Sequence, residues 1–153
     1  MILFRCTLKK WAADVSGQGA FLYGGRWNTP GHYLIYTAEN NLLAALEVAV
    51  RIPLTQISTD YIMLPVHISD KEEMYEPRLP KDWNRKYEFT QHIGNNFIEN
   101  NKALVMKVPS ALMNNTHNYL INPKHKNFGK VKVGKPQSLI FDERLLKMMI
   151  PQK

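Results

Sequence analysis

The stretch from Gly24 to Arg51 constrains this chain most, because three kinds of local structure follow one another there without a linker. It opens as Gly24-Gly25-Arg26-Trp27-Asn28 with Gly31 close behind, a loop that carries an arginine and a tryptophan. It continues as Tyr33-Leu34-Ile35-Tyr36-Thr37, an apolar run of β-formers that predicts a strand. It closes with Leu42-Leu43-Ala44-Ala45-Leu46-Glu47-Val48-Ala49-Val50, which predicts a helix. Thr37 is the predicted N-cap, and Glu39 suits the positive end of the helix dipole. Pro53 stops the helix shortly after Arg51.

One residue of this helix is out of place. Leu43, Leu46 and Val50 fall at helical spacing and mark the predicted buried stripe. Glu47 lies four residues after Leu43 and three before Val50, so it shares that stripe. A carboxylate on an apolar face must be paired, protonated or functional, since burying it bare is costly. Spacing alone favours a plain account: a glutamate at the stripe's edge, or one paired with a structural arginine.

The rest of the chain predicts α+β. A first strand runs Ile2 to Leu8 and contains Arg5, which points either to the surface or into a cleft. Ser16-Gly17-Gln18-Gly19-Ala20 reads as a flexible loop; the glycine spacing is wrong for a dinucleotide fingerprint and no helix is expected directly after it. Residues 52–59 read as a connection. Tyr61 to Ser69 alternates, with Ile62, Leu64, Val66 and Ile68 on one face, and Pro65 inside it argues for an edge or a bulge. Lys71 to Lys86 is charged and proline-bearing, so little regular structure is expected there. Phe89, Ile93 and Phe97, four apart, predict a helix over 87–100. Short strands are predicted at 103–108, 118–122, 130–133 and 139–141, and the tail 142–153 is weakly amphipathic. With no regular βαβ rhythm, the expected architecture is one domain, residues 1–153, around a mixed or antiparallel sheet.

Composition narrows the class. A chain of 153 residues, 44% hydrophobic and 22% charged, can bury a core as one globular domain. The lone Cys6 precludes an internal disulfide framework and fits a reducing compartment. The apolar start is too short for a signal peptide and no stretch is long enough to span a membrane, so a cytoplasmic location is expected. The net charge of +7 suits an anionic ligand, a nucleic acid or an acidic protein partner, and plain solubility equally.

Other chemistries are weakly signalled. His32, His67, His92, His117 and His125 are scattered, without metal-ligand spacing. Ser110 lacks a nucleophile-elbow pattern, and Cys6 lies in a predicted strand. Lys124, Lys126, Lys130, Lys132 and Lys135 have only Phe128 among them, which suits a solvated basic face better than a nucleic-acid surface.

Several pieces together resemble the RES domain, the toxin of RES–Xre toxin–antitoxin pairs. These are Gly24-Gly25-Arg26-Trp27-Asn28 with Gly31, Tyr36 and Ala45-Leu46-Glu47-Val48, then Val108-Pro109-Ser110-Ala111. Asn118-Tyr119-Leu120-Ile121-Asn122-Pro123 with His125, and Phe141-Asp142-Glu143-Arg144-Leu145, follow in the same order, and the family's early arginine falls on Arg5. The chain departs from the family at Arg51, where a histidine is frequent, and near Asn96 and Phe97, where a tryptophan is frequent.

The resemblance implies a fold similar to diphtheria-toxin-type ADP-ribosyltransferases. It implies an enzyme that degrades NAD, as an NAD phosphorylase or glycohydrolase, with phosphate or water as acceptor. ADP-ribosylation of a protein is the alternative within that class, and a non-catalytic basic binding module is the alternative outside it. It implies Arg26, Glu47 and Ser110 as catalytic residues, and Arg5, Arg26, Tyr36 and Asn122 as NAD-binding residues. NAD is then substrate and inorganic phosphate co-substrate, with no prosthetic group and no metal. The implied partner is an Xre-type helix-turn-helix antitoxin that contacts DNA on the pair's behalf, and a homodimer within the complex is compatible with this. In that setting Glu47 stabilises an oxocarbenium-like centre, while Arg5 and Arg26 suit phosphate oxygens. Tyr36 stacks on nicotinamide or holds the ribose by its hydroxyl; Ser110 bonds the ribose, and Asn122 orients a neighbour or merely caps a turn.

Overall fold

The computed structural model describes residues 1–148. Eight strands form one sheet: β1 Ile2–Leu8, β2 Ile35–Ala38, β3 Tyr61–His67, β4 Met74–Tyr75, β5 Val105–Pro109, β6 His117–Ile121, β7 Lys132–Val133 and β8 Gln137–Ser138. The order is β4-β5-β6-β2-β1-β3-β7, with β8 also on β3. Only β4 and β5 are parallel, so the sheet is mixed as expected. Among the described residues five α-helices accompany it: α1 Gln18–Tyr23, α2 Asn41–Ala49, α3 Leu54–Asp60, α4 Tyr87–Asn100 and α5 Glu143–Met148.

Strand register sorts the core onto two faces. Val105 pairs with Ile121 and both join Leu3, Ile35 and Val66; the next pair, Met106 with Leu120, turns the other way and packs with Trp27, Leu34 and Phe97. This is the period-2 alternation of a sheet covered on both faces. Phe97 and Ile98 are the buried apolar residues of α4, and Ile93 packs beside them; Phe89, at the helix's solvent end, is exposed.

Several expectations need correction. Thr37 does not cap α2: its hydroxyl is used inside the sheet, donating to the Tyr119 carbonyl at 2.6 Å. Asn40 is the N-cap, with Oδ1 accepting from Leu43 N at 2.8 Å. Glu39 falls before that cap and lies 3.5 Å from His117 Nδ1 instead of in the first turn. The buried face of α2 is Leu43, Ala44, Ala45 and Ala49, and Val50 is exposed. Small alanines let the helix sit close on the sheet beside Ala38 and Met63, which size-based stripe reading overlooks.

A helix, α1, does follow the Gly17 turn, and α3 replaces the expected connection. Pro53 precedes α3 as its N-cap, so one proline ends a helical run and opens the next, and Ile57 anchors α3 in full burial. The charged 71–86 segment contains β4 and a 3₁₀ turn at Trp83–Arg85. Strand β3 is not an open edge: β1 lies on one side and β7 and β8 on the other. Pro65 O accepts from Gly134 N at 2.7 Å between those two short strands, so its missing N–H falls in the gap between them. The last strand is 137–138 and not 139–141, and Leu139 and Phe141 instead pack half-buried beside α2 and α3. The tail is helical over α5, and the part of that expectation beyond residue 148 lies outside the described residues. Among the described residues no helix is long and apolar enough to cross a membrane.

Candidate active site

The sheet, α1 and α2 enclose a cleft of about 550 Å³. Its floor is Phe4–Thr7 of β1 and Ile35–Ala38 of β2; Gly24–Trp27 lie on one side, and Pro109, Ala111, Leu112 and Asn118 close one end. Helix α2 presents Ala44, Glu47 and Val48 to it, at helical spacing, and Arg51 joins them from the turn after the helix. Glu47 therefore stands on the stripe next to the core-facing one. Its odd position has a simple cause: it is half-buried because it lines a cleft.

The Glu47 carboxylate is held from two directions. Ser110 Oγ donates to Oε1 at 2.9 Å, and Asn118 Nδ2 donates to the same oxygen at 2.6 Å. Ser110 is in turn fixed by Leu112 N, which donates to its hydroxyl at 3.1 Å, and by its own N–H to Thr116 O at 2.9 Å. No arginine pairs with Glu47 among the described residues, so the structural ion-pair account has no partner for it. Two neutral donors on Oε1 orient the carboxylate without neutralising it. Oε2 is left for a ligand.

Arg26 also lines the cleft. Its guanidinium carbon lies 5.8 Å from the Trp83 ring centroid and 5.4 Å from that of Tyr87, and Nη1 donates to Asn84 O at 3.0 Å. One of five guanidinium donors is thus engaged, and the others are free for an anion. Arg5 lies on the floor with Nη1 donating to Asp14 O at 2.5 Å. Burial pulls the Arg5 pKa down, opposed by the nearby Asp14 charge, yet an arginine stays protonated at any ordinary pH. Arg5, Arg26 and Arg51 thus line the same cleft as the Glu47 carboxylate.

Tyr36 is on the cleft floor, but its hydroxyl serves the scaffold. It donates to Asn28 Oδ1 at 2.7 Å and accepts from Trp27 N at 3.1 Å. Burial raises its pKa further, so the phenol stays protonated. A side chain at Gly25 would put its Cβ 2.5 Å from that hydroxyl, so any larger residue there would have to displace the Tyr36 phenol. The side chain lines the cleft and packs beside the Trp27 and Leu34 cluster, and the proton expected for the ribose is already engaged.

Asn122 is a correction of a different kind. It lies outside the cleft, fully buried, donating to Asn101 Oδ1 at 2.9 Å and accepting from Lys124 N at 3.0 Å. Its valences are spent on joining the end of β6 to the end of α4, which leaves nothing to orient a ligand. Asn118 is the asparagine that reaches the cleft, and it was not singled out in the sequence. The Ala38–Asn118 register between β2 and β6 puts it beside α2, and nothing local distinguishes it from Asn122 before that register is known.

Other chemistries find little footing here. Burial pushes the Cys6 thiol up to about 12, so this cleft-lining cysteine carries almost no thiolate. Among the described residues no three His, Cys, Asp or Glu side chains gather as a metal site.

The RES domain matches residues 2–142. The chain belongs to the RES domain family. It is 34% identical over 153 residues to Toxin Res of Yersinia enterocolitica, covering 95% of this chain and 99% of that protein. It is 35% identical to Toxin Res of Photorhabdus laumondii, covering 96% and 98%. A relative in Sphingobium, the Prs ADP-ribosylating toxin, is 28% identical over 89% of each chain. In fold, this RES domain resembles a chain in the crystal structure of the M. tuberculosis MbcT–MbcA toxin–antitoxin complex. The TM-score is 0.72 at 17% identity, over 97% of this chain and 87% of that one, a likeness that speaks to architecture alone.

Proposed function

We propose that this RES domain is the toxin of a toxin–antitoxin pair and consumes NAD by cleaving its nicotinamide–ribose bond. The observation that carries the proposal is the Glu47 carboxylate, oriented by Ser110 and Asn118 inside a cleft that otherwise presents arginines. As the C1′–N bond breaks, its electron pair moves to the pyridinium nitrogen and positive charge gathers on the ribose. A carboxylate with one unengaged oxygen stabilises that charge where it develops. Arg26 and Arg5 suit the diphosphate, and the Tyr36 ring suits the nicotinamide face. The acceptor is inorganic phosphate, whose attacking oxygen is already anionic and needs no general base; when water attacks in its absence, the proton it loses passes to solvent.

The relatives named as toxins support the biological half of the proposal, and the neighbour solved in a toxin–antitoxin complex supports an antitoxin partner. For this chain that partner is an Xre-type helix-turn-helix protein that covers the cleft mouth. The exposed Tyr23, Val50 and Leu112 lining the cleft supply apolar contact area there, and the +7 net charge suits an acidic segment. Transfer to a protein is the second candidate reaction, favoured by the Sphingobium relative's name.

The test is to incubate the purified protein with NAD, with and without phosphate, and identify the products by mass. Nicotinamide with ADP-ribose 1″-phosphate is expected, and nicotinamide with ADP-ribose when phosphate is withheld. NAD that is consumed only when lysate protein is added would favour the second candidate. NAD left intact with phosphate, water and lysate as acceptors would refute both.

A further inference from the structure

The loop that carries Arg26 is held by a helix more than sixty residues further along the chain. Thr90 Oγ1 donates to the Arg26 carbonyl at 2.8 Å, and Gln91 Nε2 donates to Gly25 O at 3.0 Å and Asn28 O at 3.3 Å. Asn95 grips Thr29 twice, accepting from its N–H at 3.1 Å and donating to its hydroxyl at 2.9 Å. These residues share one face of α4 with Gly94, whose bare Cα lets the helix meet the Trp27 carbonyl. The Arg26 side chain is gripped just before that face begins. Its guanidinium lies near the rings of Trp83 and Tyr87 and bonds Asn84 O, while Trp83 stacks on Trp27 with centroids 5.7 Å apart.

We propose that Trp83 and Tyr87, backed by Thr90 and Gln91, are positioning residues that hold the Arg26 guanidinium in one place at the border of the cleft before a ligand arrives. They do so for the anionic part of that ligand, a diphosphate if the cleft is an NAD site, and the affinity arm of the test rests on that assignment. An arginine side chain has many rotamers, and ordering it at the moment of binding subtracts from affinity. A ring face attracts the guanidinium without using any of its N–H donors. The backbone bonds from α4 fix where the side chain starts, and the rings fix where it ends. Trp27, Trp83 and Thr90 also belong to the packed interior, whereas Tyr87 is 46% exposed. Tyr87 therefore separates positioning from stability.

The experiment uses the full chain carrying Glu47→Gln, so that NAD is bound and not turned over. Tyr87→Leu and Tyr87→Phe are each added, alone and with Arg26→Ala. Titration calorimetry reads the NAD dissociation constant, and NMR reads the Arg26 side-chain Nε–H signal. Tyr87→Leu is expected to weaken NAD binding roughly three- to tenfold, the range for loss of a partly exposed cation–π contact. Its melting temperature should stay close to the parent's. Tyr87→Phe keeps the ring and restores the affinity. With Arg26→Ala, Tyr87→Leu has no further effect, because the two act as one unit. Equal weakening with and without Arg26, or none in either, would overturn the proposal. Absence of NAD binding in the parent would instead refute the NAD assignment and leave the positioning to the NMR arm. There the Arg26 signal must lose its ring-current shift in Tyr87→Leu, and an unchanged signal overturns the proposal.

Discussion

Glu47→Gln is expected to fold, melt near the wild type, bind NAD and turn it over on the order of 10²–10³ times more slowly, the cost of removing one preorganised electrostatic contact to the transition state. The substitution keeps volume and leaves an oxygen to accept from Ser110 and Asn118, which hold Oε1 at 2.9 and 2.6 Å. What disappears is the negative charge. In the ground state the loss is small, because both partners of Glu47 are neutral and no buried cation is left unpaired. In the transition state the ribose has become cationic and its stabiliser is gone. A loss of binding in proportion to the loss of turnover would mean that Glu47 holds the substrate and does not act on the breaking bond. A structural glutamate would behave oppositely, with a melting point that falls while turnover survives.

Gly94→Ala is expected to be the most damaging small change to stability. In an exposed helix interior the swap gains roughly 1 kcal/mol through helix propensity. At residue 94 the new Cβ would lie 1.6 Å from the Trp27 carbonyl oxygen and 2.7 Å from its carbon. The obstacle is backbone, so no rotamer relieves it, and α4 must move away from the loop. Overpacking costs of about 3 kcal/mol or more are then reasonable, a fall in melting temperature on the order of 10 °C for a chain of this size. Trp27 and Arg26 move with the strain, so NAD affinity should fall as well. Gly19→Ala in α1 is the control: its Cβ would meet nothing within 4 Å, and stability should hold or rise. A Gly94→Ala protein as stable as the parent would mean that the close approach of α4 to the loop is not a feature of the folded chain.

The elements legible in the sequence were those whose own residues suffice to specify them. The 87–100 helix followed from Phe89, Ile93 and Phe97, and the first strand from a short apolar start carried past Arg5. The N-cap of α2 was misplaced because Thr37 and Asn40 are both good caps locally, and only pairing with β6 assigns Thr37 to the sheet. Helix α3 is too short to show a period, and among its residues with described side chains Ile57 is the one that is fully buried. Within the site, Glu47 was visible as an anomaly because a charge at helical spacing with leucines is locally improbable. The arginines and Ser110 were visible through the resemblance. Asn118, the Tyr36 hydroxyl's bond to Asn28, and the Trp83–Tyr87 grip on Arg26 were not, since each depends on register or on partners distant in the chain.

The most direct measurement of the central claim is the crystal structure of Glu47→Gln soaked with NAD. The account predicts the nicotinamide ribose beside residue 47 and Ser110, with C1′ facing the side-chain atom that replaces Oε2. It predicts the diphosphate against Arg26 and the nicotinamide ring on the Tyr36 face. NAD bound in the cleft with its diphosphate beside residue 47 and its nicotinamide in solvent would contradict the account, as would NAD bound anywhere outside the cleft.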